Sequence, residues 1–377
     1  MIRFAPWAVL TMLAASSLFA QTKSVFTSGL VGPQKIVRTA GGKFLVSESG
    51  PGLNQGRVSV VSSTGMRSTL LDGLPAALDN EGGISGPTGL AIDGSTLYLA
   101  IGEGDAVRSD ADGVQMPNPA GVAGPIFSSI LKIEFSADVD NLLSPFVLKA
   151  EDFLTLSDGY TVEVGNADGA TATVWVLVDF ANFVPDPNVP YRPSNPWGLA
   201  LNPRFPGEIF LNDASLDALV RIDAETGRAR RFLRFPKLAN PLPFGPPVSD
   251  FVPTSLRAYS SGFLLSRLSG FPFASGVAAV SFVDVEGRTF EPFISNLTAA
   301  VDVLVQERAG ERTRFYTLEF SADFLQGGPG KLMRYDSPQG ELIVSDLAGP
   351  TSMALDPDTG DVYITEIATG NIVKVAP

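Results

Sequence analysis

The sequence predicts an all-β fold, a six-bladed β-propeller whose ring is closed by its own N-terminal strand. Three observations carry that expectation. A short phrase, mostly Gly/Asn-Pro, followed by an apolar strand recurs at Pro33, Pro87, Pro196, Pro253, Ala300 and Pro350, a period near fifty residues of the kind propeller blades show. Each phrase opens a series of about four short strands set apart by Gly, Pro, Asn and Asp turns. The last copy, Gly349–Pro377, holds only three strands, and the missing fourth stands at the other end of the chain, in Lys23–Leu30. A single blade cannot bury both of its faces, so neighbouring copies must stack to make a core.

Taken in order, residues 1–20 read as a secretory signal: Arg3, an apolar run Trp7–Leu13, then small residues as far as Ala20. That run is shorter than the roughly 20 apolar residues a spanning helix needs. The expectation is cleavage, a secreted or periplasmic location, and one propeller domain over residues 21–377 with no later membrane span. Lys23–Leu30 is similar to the fourth strands Ser68–Leu74 and Glu341–Leu347 and runs through Gly32-Pro33 into the first inner strand. Second strands follow each phrase at Phe44–Ser47, Leu97–Ala100, Ile209–Asn212, Phe263–Ser266, Phe315–Leu318 and Val362–Thr365. The interval from Pro87 to Pro196 is about twice the others. It holds a third strand at Ser129–Glu134, a fourth at Thr171–Val178, and an elaboration at about 136–170 with a strand or helix and a hairpin turned at Asn166–Gly169. No further phrase followed by a turn and a second strand occurs there, so six blades are expected, with seven as the alternative.

In a propeller the inner strand crosses the ring and the second strand returns. The end of strand two, the two–three loop and the link to the next blade therefore share a face. The long insertions at 49–56, 75–85, 103–127, 181–194, 235–251, 268–276 and 320–330 fall there, and only 136–170 points away. Insertions gathered on one face mark the binding face.

Composition excludes several chemistries. The formal charge of −13, from 27 Lys+Arg against 40 Asp+Glu, repels phosphate backbones and argues against nucleic acid. The chain has neither Cys nor His, so it has no thiolate nucleophile, no zinc–thiolate site and no imidazole base or ligand. What remains is carboxylate, Arg/Lys, hydroxyl and amide chemistry.

The residues just after the second strands are Glu48, Ile101, Asp213, Arg267, Glu319 and Glu366, and Glu103 stands two places past the apolar exception. This recurrence predicts a ring of carboxylates with one Arg at the mouth of the central channel, suited to Ca²⁺, another divalent cation or a cationic ligand. Ordinary solvated strand ends are the plain alternative. Asn195 opens the third inner strand near Asp213; an amide beside a carboxylate suits a hard cation, and an Asn-Pro turn is the plain alternative. Asp110–Gly113 has part of a calcium-loop pattern but lacks its first Asp and its terminal Glu. Gly270–Phe273 and Pro241–Pro247 place apolar, Pro-rich loops on the same face, either packing together or cradling an apolar ligand.

The phrases Ser194–Ala200, Leu264–Phe273 and Gly349–Val375 resemble the ScyD/ScyE family, propellers named after scytonemin-pigment gene clusters, and the resemblance covers Thr22–Pro377. It implies a six-bladed propeller in a secreted or periplasmic setting, with no established reaction. More distantly the chain is similar to NHL-repeat proteins and to the gluconolactonase/regucalcin-like group, whose members are metal-dependent. Against that group's pattern Asp213 matches the late-strand Asp, Trp197 stands in place of the ligand Asn, and Val31–Pro33 carries no acid where the first-blade Glu belongs. Propeller lyases and quinone-dependent sugar dehydrogenases rely on His. The functional expectation is a monomeric exported module that binds a small molecule or a protein through its insertion-rich face and carries no catalytic motif. The alternative is a metal-dependent hydrolase or lactonase.

Overall fold

Each recurring phrase marks the same backbone event, a slip in pairing where the inner strand begins. In the computed structural model, which describes residues 23–109, 115–184, 192–308 and 310–376, the inner strands are Pro33–Arg38, Pro87–Asp93, Pro196–Leu201, Pro253–Tyr259, Ala300–Gln306 and Pro350–Leu355. All six shift register against their second strands within the first few residues, the signature of a bulge that re-aims side chains. The residue before the strand has positive φ at Gly32, Val252, Ala299 and Gly349. The expected signal at residues 1–20 and the Asp110–Gly113 loop lie outside the described residues.

Six blades follow. Their second strands are Phe44–Glu48, Thr96–Ile101, Glu208–Asp213, Gly262–Arg267, Arg314–Glu319 and Val362–Glu366. The third and fourth strands are Gly56–Val61 and Arg67–Leu74, Ser129–Phe135 and Thr171–Asp179, Ala218–Asp223 and Ala229–Arg234, Ala278–Asp284 and Thr289–Leu297, Gly330–Tyr335 and Glu341–Leu347, then Asn371–Val375 and Lys23–Thr27. One backbone bond repeats in every blade and ties the end of strand two to the phrase: Ser49 to Gly32, Gly102 to Gly86, Ala214 to Asn195, Leu268 to Val252, Phe320 to Ala299 and Ile367 to Gly349, the N–H donating each time. The seven-blade alternative is excluded.

Neighbouring sheets cover each second strand on both faces. Phe44–Glu48 and Val362–Glu366 are buried at every residue, which is why they read as continuous apolar runs and not as alternating ones. The core is correspondingly split into six apolar clusters, one at each junction between blades. Successive residues of one strand serve different junctions. Leu45 packs toward blade 2, while Phe44 and Val46 pack toward blade 6.

The ring closes as expected. Lys23–Thr27 pairs antiparallel with Asn371–Val375, and Phe26 sets its ring edge-on to Tyr363 at 4.8 Å and Phe44 at 6.1 Å. The long interval is one blade with an elaboration. Its strand Val162–Gly165 extends blade 2, and Phe146–Val147 joins the outer strand of blade 1 in parallel. A helix at Ala150–Ser157 buries Phe153 and Leu156 in the blade 1–blade 2 cluster. Asp140 accepts hydrogen bonds from the Thr39 hydroxyl at 2.6 Å and the Gly41 N–H at 2.8 Å. That turn joins the first two strands of blade 1, so the elaboration clips the two blades on the face away from the other insertions. Among the described residues no helix is long and apolar enough to cross a membrane.

Closure generates a prediction. Deleting residues 21–30 exposes two strand edges and strips Phe26 and Leu30 from their junction. A large drop in thermal midpoint or outright insolubility is expected. Deleting only 1–20 leaves every described contact in place, and equal midpoints for the two proteins would refute the closure.

Candidate functional site

The repeated carboxylates are brought to equivalent positions but not to one another. Glu48, Asp213, Glu319 and Glu366 are all fully buried. Each accepts a hydrogen bond from the backbone N–H one or two residues before its own inner strand: Val31, Asn195, Thr298 and Ala348. Further donors fill the remaining lone pairs. Ser59, Arg57 and Arg67 reach Glu48; Ser194 and the Leu216 N–H reach Asp213; Lys331 reaches Glu319; Thr369 and Lys23 reach Glu366. Burial raises the Glu319 pKa, opposed by the Thr298 N–H and Lys331. These carboxylates therefore cap the blade-to-blade connectors, because a buried connector N–H needs an acceptor. The sequence expected these carboxylates to form a ring at the channel mouth; their oxygens are spent on the connectors of their own blades, and among the described residues no three His, Cys, Asp or Glu are grouped to hold a metal.

Arg267 occupies the same position in blade 4 and cannot accept an N–H. Asp217, from the preceding blade, takes over and accepts from both Phe251 and Val252. Arg267 lies over the Phe251 ring at 4.8 Å and donates to the Val277 carbonyl at 3.3 Å. Burial lowers its pKa.

The axis of the ring holds a cluster that sequence reasoning missed. The third residue of each inner strand is Lys35, Gly89, Gly198, Ser255, Asp302 or Ser352. Asp302, with no exposure, accepts from Lys35 at 3.4 Å, Arg257 at 2.6 and 3.1 Å, Ser352 at 2.8 Å, the Val303 and Met353 N–H groups at 2.9 Å, and Ser255. Blades 1, 4, 5 and 6 thus meet on one carboxylate. Burial alone would raise its pKa, but the charges of Arg257 and Lys35, with the bonds from Arg257 and Ser255, hold it well below the usual carboxylate range. Burial and then the Arg257 charge bring the Lys35 ammonium down to about 8, against the pull of Asp302. The signal was legible in one respect: two charges stand at a phrase position otherwise held by Gly and Ser.

Side chains join the other inner strands as well. Ser47 donates to the Thr88 carbonyl, Thr88 to Pro196, Asn212 to Ser255, Thr254 to Ala300 and Thr351 to Pro33. With Ser352 on Asp302, every junction of the ring has such a bridge. Gly89 and Gly198 permit the close approach, since a Cβ there would lie 2.1 Å from the Trp197 carbonyl oxygen and 2.2 Å from that of Thr254.

On the insertion-rich face, the predicted residues Glu103 and Asn195 keep buried polar atoms without a partner, as does Arg267 through its Nε. Glu103 lies between Gly102 and Gly104, which press the chain down. A Cβ on Gly104 would enter the Phe127 ring, and one on Gly102 would meet the Ser85 hydroxyl and the Asn195 amide oxygen. Glu103 Oε2 and Asn195 Oδ1 are both buried without a hydrogen-bond partner. Burial first, then the negative charges of Asp79, Glu81 and Asp213, push the Glu103 pKa up to about 8, against a hydrogen bond from the Ser215 side chain. Asp79 and Glu81 come from the hairpin joining Ala77–Leu78 to Ile84–Ser85. Glu103, Asn195 and Asp213 are thus brought together at the blade 2–blade 3 junction, while Glu48, Arg267, Glu319 and Glu366 stay in their own blades. The aromatic loops pack on each other: a Cβ on Gly245 would lie 3.1 Å from the Phe271 ring, and Phe273 stacks on Phe324 at 4.2 Å.

No known protein family and no curated protein matches the sequence. Solved structures do. A glucose dehydrogenase aligns at 12% identity over 94% of this chain and 99% of that one, with a TM-score of 0.50. An auxiliary nutrient binding protein from Bacteroides thetaiotaomicron aligns at 10% identity over 92% and 69%, with a TM-score of 0.48. Virginiamycin B lyase from Staphylococcus aureus aligns at 16% identity over 94% and 98%, with a TM-score of 0.44. At these identities the first likeness shows the fold and nothing of the chemistry. The chain is a six-bladed β-propeller.

The metal-dependent hydrolase alternative finds no ligand set among the described residues. Asp213 already accepts from Ser194, Asn195 and Leu216, and the Trp197 indole offers no ligand atom.

The axial carboxylate yields a prediction. Asp302→Asn leaves the buried Lys35 and the half-buried Arg257 without their counter-charge and should cost about 3–5 kcal/mol, read as a shift in denaturant midpoint at neutral pH. Because the folded pKa of Asp302 is depressed, its contribution is present above about pH 4, the ordinary Asp range, and is lost as pH falls further. The variant should therefore lose less stability than wild type on acidification below pH 4, and parallel acid curves would refute the role.

Proposed function

We propose that this propeller is an exported binding module of the ScyD/ScyE kind that takes a cationic ligand on its insertion-rich face, at the junction of blades 2 and 3. The observation that carries this reading is the pair of unpartnered buried oxygens, Glu103 Oε2 and Asn195 Oδ1. Buried acceptors without donors are costly, and a site that keeps them in a field of further carboxylates is arranged for a donor that arrives from outside. A cation or ammonium group supplies the missing charge or hydrogen bonds, and its arrival ionises Glu103. Export rests on the apolar Trp7–Leu13 run and the small residues after it; intact mass from the exported fraction should begin near Gln21, and a full-length mass in the membrane fraction would count against it.

Two measurements test the site. The folded pKa of Glu103 is raised from 4.5 to about 8, so its contribution to stability is full below about pH 4.5 and lost as pH rises through 8. Glu103→Gln should therefore be more stable than wild type at pH 8.5, by about 1–3 kcal/mol, with little difference at pH 4.5. Calcium and a panel of organic ammonium ions, at matched ionic strength, should raise the thermal midpoint of wild type more at pH 8.5 than at pH 6.5. Glu103→Gln and Asn195→Ala should lose that response. A flat response of wild type to every cation would overturn the reading.

A further inference from the structure

The outer strand of blade 3 is chemically unlike the other five. Ala229–Arg234 carries Arg230, Arg231 and Arg234, with Arg228 just before it and Lys237 just after. The corresponding strands elsewhere are neutral, acidic or, in Lys23–Thr27, carry a single Lys. Five of the chain's 27 basic residues thus fall within ten positions of a protein of charge −13. Arg234 and Lys237 already have partners; Lys237 pairs with Asp217 and Asp250. Among the described residues, no carboxylate lies within ion-pair distance of Arg228, Arg230 or Arg231, and all three are exposed.

Charges on a sheet edge often serve only to prevent pairing with another strand. That explanation accounts for one or two charges on a strand, as Lys23, Arg67, Glu291 or Glu341 supply elsewhere, and not for three arginines on one six-residue strand. A cleft of about 350 Å³ also opens beside the strand, lined by Arg221, Arg228, Ala229 and Arg230 with Glu208 and Asp223. Glu208 Oε1 meets one terminal nitrogen of Arg221, and Arg221 Nε and Glu208 Oε2 are both buried without a hydrogen-bond partner beside it.

We propose that this strand and its cleft are a docking site for a linear acidic polysaccharide, one bearing uronate carboxylates or sulfate esters. Guanidinium forks match such groups in geometry and charge. An added peptide strand fits less well. The edge is broken where the pairing register shifts between Leu219 and Val220. The Phe232 carbonyl is already taken by Arg288, which donates at 3.0 Å and stacks over the Phe232 ring at 5.2 Å. Without a main-chain ladder a flexible acidic peptide would have to be ordered by side-chain contacts alone, at an entropic cost that a stiffer glycan largely avoids. The acidic remainder of the surface repels a polyanion and confines it to this strand.

The test measures binding of polygalacturonate and dextran sulfate by titration calorimetry at 20 and 300 mM salt, beside poly-glutamate and inorganic sulfate. Wild type should bind at least one of the glycans, with affinity falling steeply as salt rises. The triple variant Arg228→Ala, Arg230→Ala, Arg231→Ala should bind at least tenfold more weakly with a shallower salt dependence. Lys149→Ala with Arg312→Ala, which removes exposed charges elsewhere, should bind as wild type does, and matched thermal midpoints establish that all the variants fold. Glu103→Gln should leave glycan binding unchanged, so this site and the cation site succeed or fail separately. The proposal is overturned by failure of wild type to bind either glycan, by equal affinity of the triple variant, or by an equal loss in the control. Tighter binding of poly-glutamate, or inorganic sulfate binding as tightly as the polymers, would overturn it too.

Discussion

Everything in this ring depends on how six inner strands meet at the axis, and one carboxylate does most of that work. A propeller's blades splay outward, so their inner edges crowd together and carry polar backbone that no ladder satisfies. Asp302 sits at that point and accepts from four blades at once. Loss of Asp302 itself would leave Lys35 and Arg257 facing each other without a counter-charge. The hydroxyl and amide bridges from Ser47, Thr88, Asn212, Thr254 and Thr351 continue the same function around the ring.

The connectors impose a second constraint. A chain that leaves one blade and enters the next does so through buried backbone, and the orphan N–H must be answered. Glu48, Asp213, Glu319 and Glu366 answer it in four blades, and Asp217 substitutes where Arg267 cannot. A recurring acid in a repeat protein has two physical readings, a shared ligand or a shared structural need. Here the hydrogen-bond partners decide for the need at those positions. Glu103 differs because blade 2 ends its second strand on Ile101, leaving the acid two residues further on with no connector to cap.

The two proposed binding surfaces have opposite signs. One is acidic, on the insertion-rich face between blades 2 and 3; the other is basic, on the rim of blade 3. Both adjoin the same blade, and neither uses the axial Asp302 node; the acidic one shares Asp213 and Asn195 with the blade 2–blade 3 connector. Residues such as Glu103 and Arg230 can therefore change without touching the axial bridges, as expected of sites grafted onto a stable fold.

The period of the Gly/Pro phrases, the truncated last copy and the apolar second strands determined the blade number, the closing strand and the face of the insertions. Those are local or repetitive properties, and repetition makes them legible in one dimension. The register of each strand also placed Glu48, Asp213, Glu319 and Glu366 at equivalent positions. Where their side chains point was decided only by tertiary structure, since a one-residue bulge at each phrase turns the chain and offers a buried N–H as partner. The Lys35–Arg257–Asp302 node brings together residues more than two hundred positions apart. No local pattern encodes such a contact; it exists because the closed ring carries blade 1 across the axis from blade 4.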